Sequence, residues 1–149
     1  MKTKLLSSIA IILFATGCLS YGGNTRSDFS PFKEVICDEK SDELYLFMEN
    51  EKVDFEYERI GLMEIQGGQF SSLNEVMNEL KRTAWENCAN AIINVSQSNA
   101  TRESGTAFVE ESEEQYTSKI LTGMAIRVDL SKSFKADHVS KAVSLGFLE

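Results

Sequence analysis

Residues 72–90 have the three- and four-residue spacing of apolar side chains that is typical of an amphipathic helix of about four turns. Ser72 and Glu75 form the S-x-x-E pattern of a capping box, in which two side chains satisfy backbone amides at the helix start. Asn90 is predicted to end the helix, because asparagine tolerates the left-handed backbone of a C-cap. Such a helix must bury its apolar stripe against a second layer. The stripe consists of Leu73, Val76, Met77, Leu80, Ala84 and Cys88.

The segments before this helix have the patterns of β-strands. Residues 43–48 are a short apolar run that is rich in aromatic side chains. Residues 53–65 alternate between apolar and polar, which is the period of a half-buried strand. The phase of this alternation shifts after Arg59, so we expect a β-bulge or bend between Arg59 and Gly61. Gly67 and Gly68 are expected to end the strand.

The segments after the helix also favour strands, so the chain is assigned to the α+β class, with the expected order β-β-α-β-β and a further strand as an optional addition. We expect a small, twisted, mostly antiparallel sheet with one long amphipathic helix packed on it. The expected elements are a buried strand over 91–95, a polar loop over 96–104, a short strand over 105–109, a solvated turn over 110–114, a long strand over 116–130, and, optionally, a short C-terminal helix over 137–145 that ends at Gly146.

The N-terminus has the three parts of a secretory signal peptide in the required order. An apolar run follows Lys2 and Lys4, and the small residues Ala15 and Gly17 precede Cys18. This ending resembles the lipobox of bacterial lipoproteins. In that family the cysteine sulfur carries diacylglycerol, the chain is cut before the cysteine, and the new amino terminus is acylated with a chain such as palmitate. The resemblance implies that Cys18 is the lipidation site; an ordinary secretory signal with a chance cysteine is the alternative.

Lipidation implies a protein anchored to the membrane of the cell envelope. The apolar run of about 13 residues is shorter than the roughly 20 that span a bilayer, whereas two or more acyl chains give stable membrane residence. Leu19 stands where aspartate retains enterobacterial lipoproteins at the inner membrane, so we expect the outer membrane. The expected domains are a signal peptide over 1–17, a flexible tether over 18–35 and a single α+β domain over 36–149.

Charge excludes several classes of partner. Removal of residues 1–17 leaves 13 basic against 23 acidic residues, a net charge of −10. A surface of this sign disfavours nucleic acid and anionic lipid.

The sequence has no Ser-His-Asp order, nucleotide-binding loop or nucleophile elbow, so we expect neither catalysis nor a cofactor.

Two cysteines, Cys37 and Cys88, remain when Cys18 is assigned to the lipid. Because exported compartments are oxidising, a disulfide between them is favoured. Closing a loop of about 50 residues stabilises a fold by about 4 kcal/mol in the chain-entropy model. Two buried free thiols are an alternative. A redox dithiol is a further alternative, although no C-x-x-C motif supports it.

Three strings of sequence carry a family resemblance. They are Tyr-Glu-Arg-Ile-Gly-Leu (57–62), Ala-Trp-Glu-Asn-Cys-Ala-Asn-Ala-Ile-Ile-Asn-Val (84–95) and Thr-Gly-Met-Ala-Ile-Arg-Val (122–128). Together they resemble the YbjQ-type small domains and their relatives among envelope lipoproteins, which include the Rcs-pathway sensor lipoprotein. The resemblance covers roughly residues 41–130. It implies a small α+β domain and an unidentified partner protein in the envelope. Cys88 stands where the family has glycine, which fits a bonded sulfur.

Some YbjQ-type domains are described as heavy-metal-binding, and this sequence gives that activity little basis. His138 is the only histidine and lies far in sequence from both remaining cysteines, so a surface histidine is expected. Asp54, Glu56 and Glu58 alternate along a predicted strand and have the chemistry of calcium ligands, but a solvated strand face accounts for them. We predict no metal site. The glutamates at 110, 111, 113 and 114 are assigned to a charged hairpin end.

The sequence as a whole favours a lipid-anchored envelope protein that acts by protein contact, as a sensor-like or structural module. Its expected partners are the membrane, reached through the lipid on Cys18, and an unidentified envelope protein. A periplasmic module that binds a metal or a small ligand is the alternative function, and its ligand is not specified by any motif.

Overall fold

The computed structural model describes residues 20–21, 24–34, 36–37, 40–106 and 114–145. A mixed sheet and one main helix make up most of this part of the chain. The elements are β1 (Ser20–Tyr21), β2 (Arg26–Pro31), β3 (Leu44–Met48), β4 (Glu58–Gln66), α1 (Leu73–Glu86), β5 (Ala91–Thr106), β6 (Glu114–Arg127), α2 (Lys132–Asp137), a 3-10 turn (Val139–Lys141) and β7 (Ala142–Val143).

The strands form a sheet in the order β2-β4-β6-β5-β3-β7, and β1 pairs with the far end of β5. The β3–β5 pair is parallel, and the other strand pairs within the described residues are antiparallel. A mostly antiparallel sheet with one main helix is the α+β class that the strand and helix patterns predict. The expected core order of two strands, a helix and two strands is present as β3-β4-α1-β5-β6.

Helix α1 begins at the predicted capping box. The backbone N–H of Glu75 donates to Ser72 Oγ at 3.2 Å, and the backbone N–H of Ser72 donates to Glu75 Oε2 at 2.6 Å. The helix is 14 residues long, shorter than the predicted segment 72–90. It buries one row of side chains, which become part of the core between helix and sheet. That row consists of Val76, Leu80, Thr83 and Ala84.

The end of α1 differs from the prediction. Cys88, not Asn90, takes the left-handed backbone, with φ at 66°. Its N–H donates to Trp85 O, and the N–H of Ala89 donates to Ala84 O, which is the bond pattern of a Schellman ending. Asn90 is buried instead, and its side-chain amide bonds both backbone groups of Val128 at 2.8 Å. Asn90 therefore fastens the start of β5 to the end of β6.

Apolar side chains pack on both faces of the sheet. The larger cluster lies between α1 and the sheet, and the second lies on the opposite face, beneath α2 and residues 53–57. The alternation of β-strand side chains explains this division, since neighbouring residues point to opposite faces. The α1 side is formed by Leu44, Ile60, Met63, Ile65, Ile92, Val95, Leu121 and Ala125 with the buried row of α1. The opposite side is formed by Tyr45, Phe47, Ala91, Ile93, Ile126, Val128 and Phe134.

The predicted tether over 18–35 contains a strand of the sheet. β2 pairs with β4 along six residues, and its Phe29 packs against the core. Ser27 Oγ and Thr83 Oγ1 share a hydrogen bond of 2.7 Å, which joins β2 to α1. A Cβ on Gly61 would lie 2.5 Å from the Phe29 ring, so glycine allows the two strands to approach. β2 was not predicted because its sequence is polar, as is typical of an edge strand whose side chains are largely solvated.

The predicted bulge in β4 is confirmed, since the pairing with β6 shifts between Arg59 and Gly61. β4 itself begins at Glu58, later than the alternation predicts, and ends at Gln66, before Gly67 as expected. Residues 53–57 lie outside regular structure, and Phe55 joins the cluster opposite α1.

Two predictions after the helix are wrong. The expected loop over 96–104 is part of β5, which pairs with β6 from Ala91 opposite Ile126 to Ser104 opposite Glu114. Most side chains on this stretch are exposed, so no apolar alternation marks the strand. The C-terminal helix begins at Lys132, before the predicted 137–145, because Ser131 caps it and Phe134 is buried. The predicted strand over 105–109 and turn over 110–114 lie partly outside the described residues.

Candidate functional site

A groove of about 760 Å³ lies on the sheet face opposite α1. The strands β2, β4, β6 and β5 form its floor, and the residue after β3 lies at its margin. The groove exists because α2 and residues 53–57 cover the rest of this face and leave this part open. Its lining residues are Asp28, Ser30, Glu49, Leu62, Met63, Glu64, Asn94, Ser96, Thr122, Gly123 and Met124.

A β-bulge in β5 shapes the middle of the groove. The register with β6 shifts between Ile93 and Ser96, and Asn94 has a positive φ of 55°. A left-handed backbone is costly for most L-residues, and asparagine is among the few that adopt it readily. Bulges of this kind redirect a side chain and are frequent beside binding sites. Here the bulge leaves the Asn94 side chain exposed in the groove.

The groove has an apolar centre with polar and acidic surroundings. Leu62 is 46% exposed, and Met124 is half-buried. Ser96 Oγ and Thr122 Oγ1 share a hydrogen bond of 3.1 Å across β5 and β6. The three charged residues among the described lining residues are all acidic, namely Asp28, Glu49 and Glu64.

Two of these carboxylates have polar neighbours. Asp28 forms an exposed ion pair with Arg26 at 2.9 Å. Glu64 Oε1 accepts a hydrogen bond from Gln66 Nε2 at 2.5 Å. Arg26 offsets the charge of Asp28, so the three acidic lining residues and Arg26 together carry a net charge of −2. This remaining negative charge favours cationic groups.

The predicted cysteine pair is brought together at the end of α1. The sulfur atoms of Cys37 and Cys88 lie at disulfide-bonding distance, and their Cα atoms are 5.7 Å apart. Further contacts hold the same segment on the helix: Lys40 Nζ lies 4.0 Å from the centre of the Trp85 ring, and Trp85 Nε1 donates to Ser41 O at 3.0 Å. This arrangement, which we call the clasp, joins residues 36–41 to the C-terminal end of α1.

Three glutamates whose pKa is shifted lie outside the groove, and each is paired with a lysine. A hydrogen bond from Lys135 lowers the pKa of Glu43, one from Lys141 lowers the pKa of Glu51, and one from Lys33 lowers the pKa of Glu58. Each carboxyl group therefore stays ionised at neutral pH. A general acid needs the opposite direction of shift, so these three glutamates are suited to ion pairing.

The single histidine of the sequence lies among aromatic side chains. His138 follows α2, half-buried, and its ring centroid lies 4.6 Å from that of Phe134, 5.2 Å from Phe55 and 5.4 Å from Phe47. Within the described ranges, no three His, Cys, Asp or Glu side chains are grouped so as to hold a metal ion.

Two of the three acidic residues that alternate over 54–58 have separate ion-pair partners. Asp54 pairs with Lys52 at 3.3 Å, and Glu58 pairs with Lys33. Asp54 and Glu56 precede β4, and Glu58 is its first residue, so the three do not share one strand. Cys18 and the glutamates at 110, 111 and 113 lie outside the described residues, whereas Glu114 begins β6.

The groove was not predicted from the sequence. Asp28 lies in the segment assigned to a tether, and Glu64 was one polar position of an alternating strand. One signal for the site is present at Asn94, a polar residue inside the apolar run 91–95. Asparagine at such a position is a residue that a bulge with a left-handed backbone can use.

In the part of the chain that the structure describes, no helix has both the length and the apolar character to cross a membrane. No protein-family model, curated protein or solved structure matches the chain. The similarity of residues 41–130 to YbjQ-type domains therefore stays a prediction from the three strings that carry it.

Proposed function

We propose that this chain is a lipid-anchored protein of the bacterial cell envelope, lipidated at Cys18, that acts by protein contact and not by catalysis. The observation that carries the contact function is the open, acidic groove on the sheet, a shaped surface that α2 leaves uncovered. The segment Ala15-Thr16-Gly17-Cys18 supports the anchor, and residence on the outer membrane follows from Leu19.

The position of β1 indicates which end of the domain would lie near the membrane. β1 begins two residues after Cys18, and Ser20 pairs with Thr106 at the far end of β5. Two residues of extended chain span at most about 7 Å. Acyl chains on Cys18 would therefore hold the far end of the β5–β6 hairpin close to the bilayer, with the rest of the sheet extending away from it.

The clasp supports export. A cysteine pair at bonding distance is expected to be oxidised outside the cytoplasm and reduced inside it. The net charge of −10 after removal of residues 1–17 fits a body that is held by its lipid and repelled by anionic head groups. The resemblance of three strings to envelope lipoproteins is compatible with a sensor-like or a structural module.

Metabolic labelling tests the anchor. We expect radiolabelled palmitate to enter the full-length chain and the chain to partition into the detergent phase. The Cys18→Ser variant should take up no label and should move to the aqueous phase. The matched control is Cys37→Ser, which should keep both label and partitioning. Failure of the parent chain to incorporate label would overturn the proposal.

A periplasmic small-ligand-binding module is the second candidate function. The observation that favours it is the size of the groove, because about 760 Å³ lies within the range of small-molecule sites. Elemental analysis and native mass spectrometry of the purified full-length protein test it. A stoichiometric metal or bound small molecule would place this candidate above protein contact.

A further inference from the structure

We propose that the groove is the docking site for a basic, extended segment of a partner protein that has aliphatic side chains in its middle and cationic side chains at both ends. The inference deepens the proposed contact function and rests on it. The groove and its charge are the observations that carry it, because together they define both the shape and the chemistry of an occupant.

The groove has the dimensions for an extended segment of several residues. Its lining residues come from β2, β4, β6 and β5 and from the residue that follows β3. Strands lie about 4.8 Å apart, so five neighbouring strand positions span about 19 Å. That width accommodates roughly five or six residues of extended chain.

The floor of the groove suits aliphatic side chains. Leu62 is 46% exposed, although it lies in the middle of β4, and the half-buried Met124 lies beside it across the strand pair. A methionine side chain adapts its shape to different apolar groups. Covering Leu62 and Met124 would remove apolar surface from water, which favours an occupant with leucine-like residues.

The margin of the groove suits cationic side chains. Asp28 and Glu64 project on one side from the paired strands β2 and β4, and Glu49 lies at the other side. Arg26 pairs with Asp28 and offsets its charge, whereas no residue of the described lining itself carries a positive charge. Complementary charge of this kind steers association and selects among partners. An acidic peptide, nucleic acid or anionic lipid would meet repulsion at the same place.

Hydroxyl groups and the exposed side chain at the bulge in β5 supply polar contacts between the apolar floor and the acidic margin of the groove. Ser30, Ser96 and Thr122 line the groove, and the Asn94 amide is exposed beside them. An amide and hydroxyl groups both donate and accept hydrogen bonds, so they can satisfy the backbone of an extended occupant. The geometry thus favours a peptide over a purely apolar ligand.

Fluorescence anisotropy with synthetic peptides tests the proposal. The full-length chain, purified in detergent, is titrated against a short labelled peptide that has leucine residues in its middle and a lysine residue at each end. Matched peptides replace lysine by glutamate, or leucine by serine. We expect binding of the first peptide, and at least about tenfold weaker binding of both others. Binding should weaken as ionic strength rises from about 0.01 M to about 1 M, since the screening length shortens from about 30 Å to about 3 Å.

Two matched substitutions locate the site. Leu62→Lys places a positive charge on the groove floor and should weaken binding at least about tenfold. Leu73→Lys changes an exposed leucine, 37% accessible, at the start of α1, away from the groove, and should leave binding unchanged. Glu64→Gln should weaken binding about threefold, whereas Glu86→Gln on α1 should have no effect. Equal effects of Leu62→Lys and Leu73→Lys would overturn the location.

Methyl NMR of methionine gives a second reading that does not depend on affinity. The methyl signal of Met124 in the groove should shift on addition of the lysine–leucine peptide. The signal of Met77, which packs on the α1 side of the core, should stay in place. Shifts of Met77 alone would overturn the proposal even if the peptide binds.

The outcomes separate this inference from the proposed function. Palmitate incorporation with no binding of the lysine–leucine peptide overturns the docking inference and leaves the anchored contact protein standing. Peptide binding without palmitate incorporation overturns the proposed lipid anchor and leaves the docking inference standing. Stronger binding of the glutamate peptide would overturn the charge argument itself.

Discussion

The sheet face opposite α1 has two halves that are built in different ways. Over one half, aromatic rings pack closely: the centroids of Phe47 and Phe55 lie 5.2 Å apart, and those of Phe55 and Phe134 lie 5.1 Å apart. Over the other half, Leu62 and the polar residues around Asn94 stay open to solvent. The sheet is therefore covered only where the chain supplies α2 and residues 53–57, and the uncovered half is free for a partner.

The difference implies that the two halves contribute unequally to stability. Replacing Phe47 by alanine should lower the free energy of unfolding by about 3–5 kcal/mol, because Phe47 is 1% exposed and its removal leaves a cavity. Replacing Leu62 by alanine on the open half should change it by less than about 0.5 kcal/mol. Urea denaturation of both full-length variants measures these values. Similar losses would show that the open half is part of the folded core.

The clasp should stabilise the fold without affecting the groove, since it lies at the end of α1. The Cys37→Ser, Cys88→Ser variant should lose about 2–4 kcal/mol of unfolding free energy, because a loop with a separation of 51 residues is no longer closed. Its affinity for the lysine–leucine peptide should be unchanged. The measurements are urea denaturation and anisotropy on the same preparation.

A second form of this variant isolates the backbone contribution. Cys88 has a φ of 66°, which glycine adopts without the penalty that serine carries. The Cys37→Ser, Cys88→Gly variant should therefore be about 1 kcal/mol more stable than the double serine variant. If the two variants unfold at the same urea concentration, the left-handed backbone at this position is not a source of strain.

Substitutions of Asn94 test whether the open half depends on the left-handed backbone of the bulge in β5. Asn94→Ala should lower the free energy of unfolding by about 1 kcal/mol, because alanine disfavours the left-handed backbone, and should weaken peptide binding. Asn94→Gly keeps the backbone accessible and should preserve stability while losing the side-chain amide. A glycine variant that binds the peptide as well as the parent would remove Asn94 from the docking site.

The sequence predicted elements where burial follows a regular period. The helix start at Ser72, the strand from Leu44 to Met48 and the bulge after Arg59 are each specified by local pattern, and the structure contains all three. β2 and the outer part of β5 were missed because solvent reaches most of their side chains, so their pairing leaves no apolar alternation.

The groove could not be predicted because it depends on contacts between distant segments. Asp28 and Glu64 become neighbours only through the β2–β4 register, and Thr122 joins them only through the β4–β6 register. The pairing of Cys37 with Cys88 was predictable, since compartment chemistry and a count of two left one intramolecular partner. The end of α1 was not predictable, because Cys88 adopts the left-handed backbone that the sequence pattern assigned to Asn90.

The smallest expected effect concerns the ion pair that holds α2 over the covered half. Lys135 lies on α2 and pairs with Glu43 at 2.8 Å, and the hydrogen bond from Lys135 lowers the pKa of Glu43 below its ordinary value of 4.5. A lowered carboxyl pKa gives stability that is present above pH 4.5 and is lost as the pH falls through the folded-state pKa. Both side chains are more than 40% exposed, so solvent screening keeps the contribution of this ion pair small.

Lys135→Met should therefore have a small cost at neutral pH and a smaller one at about pH 3, because the contribution of the ion pair falls as Glu43 becomes protonated in the parent. Lys132→Met, on an exposed position of the same helix, is the matched control and should show no such pH dependence. Urea denaturation of the parent and both variants at the two pH values measures the difference. A cost for Lys135→Met that persists at low pH would mean that its alkyl chain covers the aromatic half, and that the charge is not what holds α2 in place.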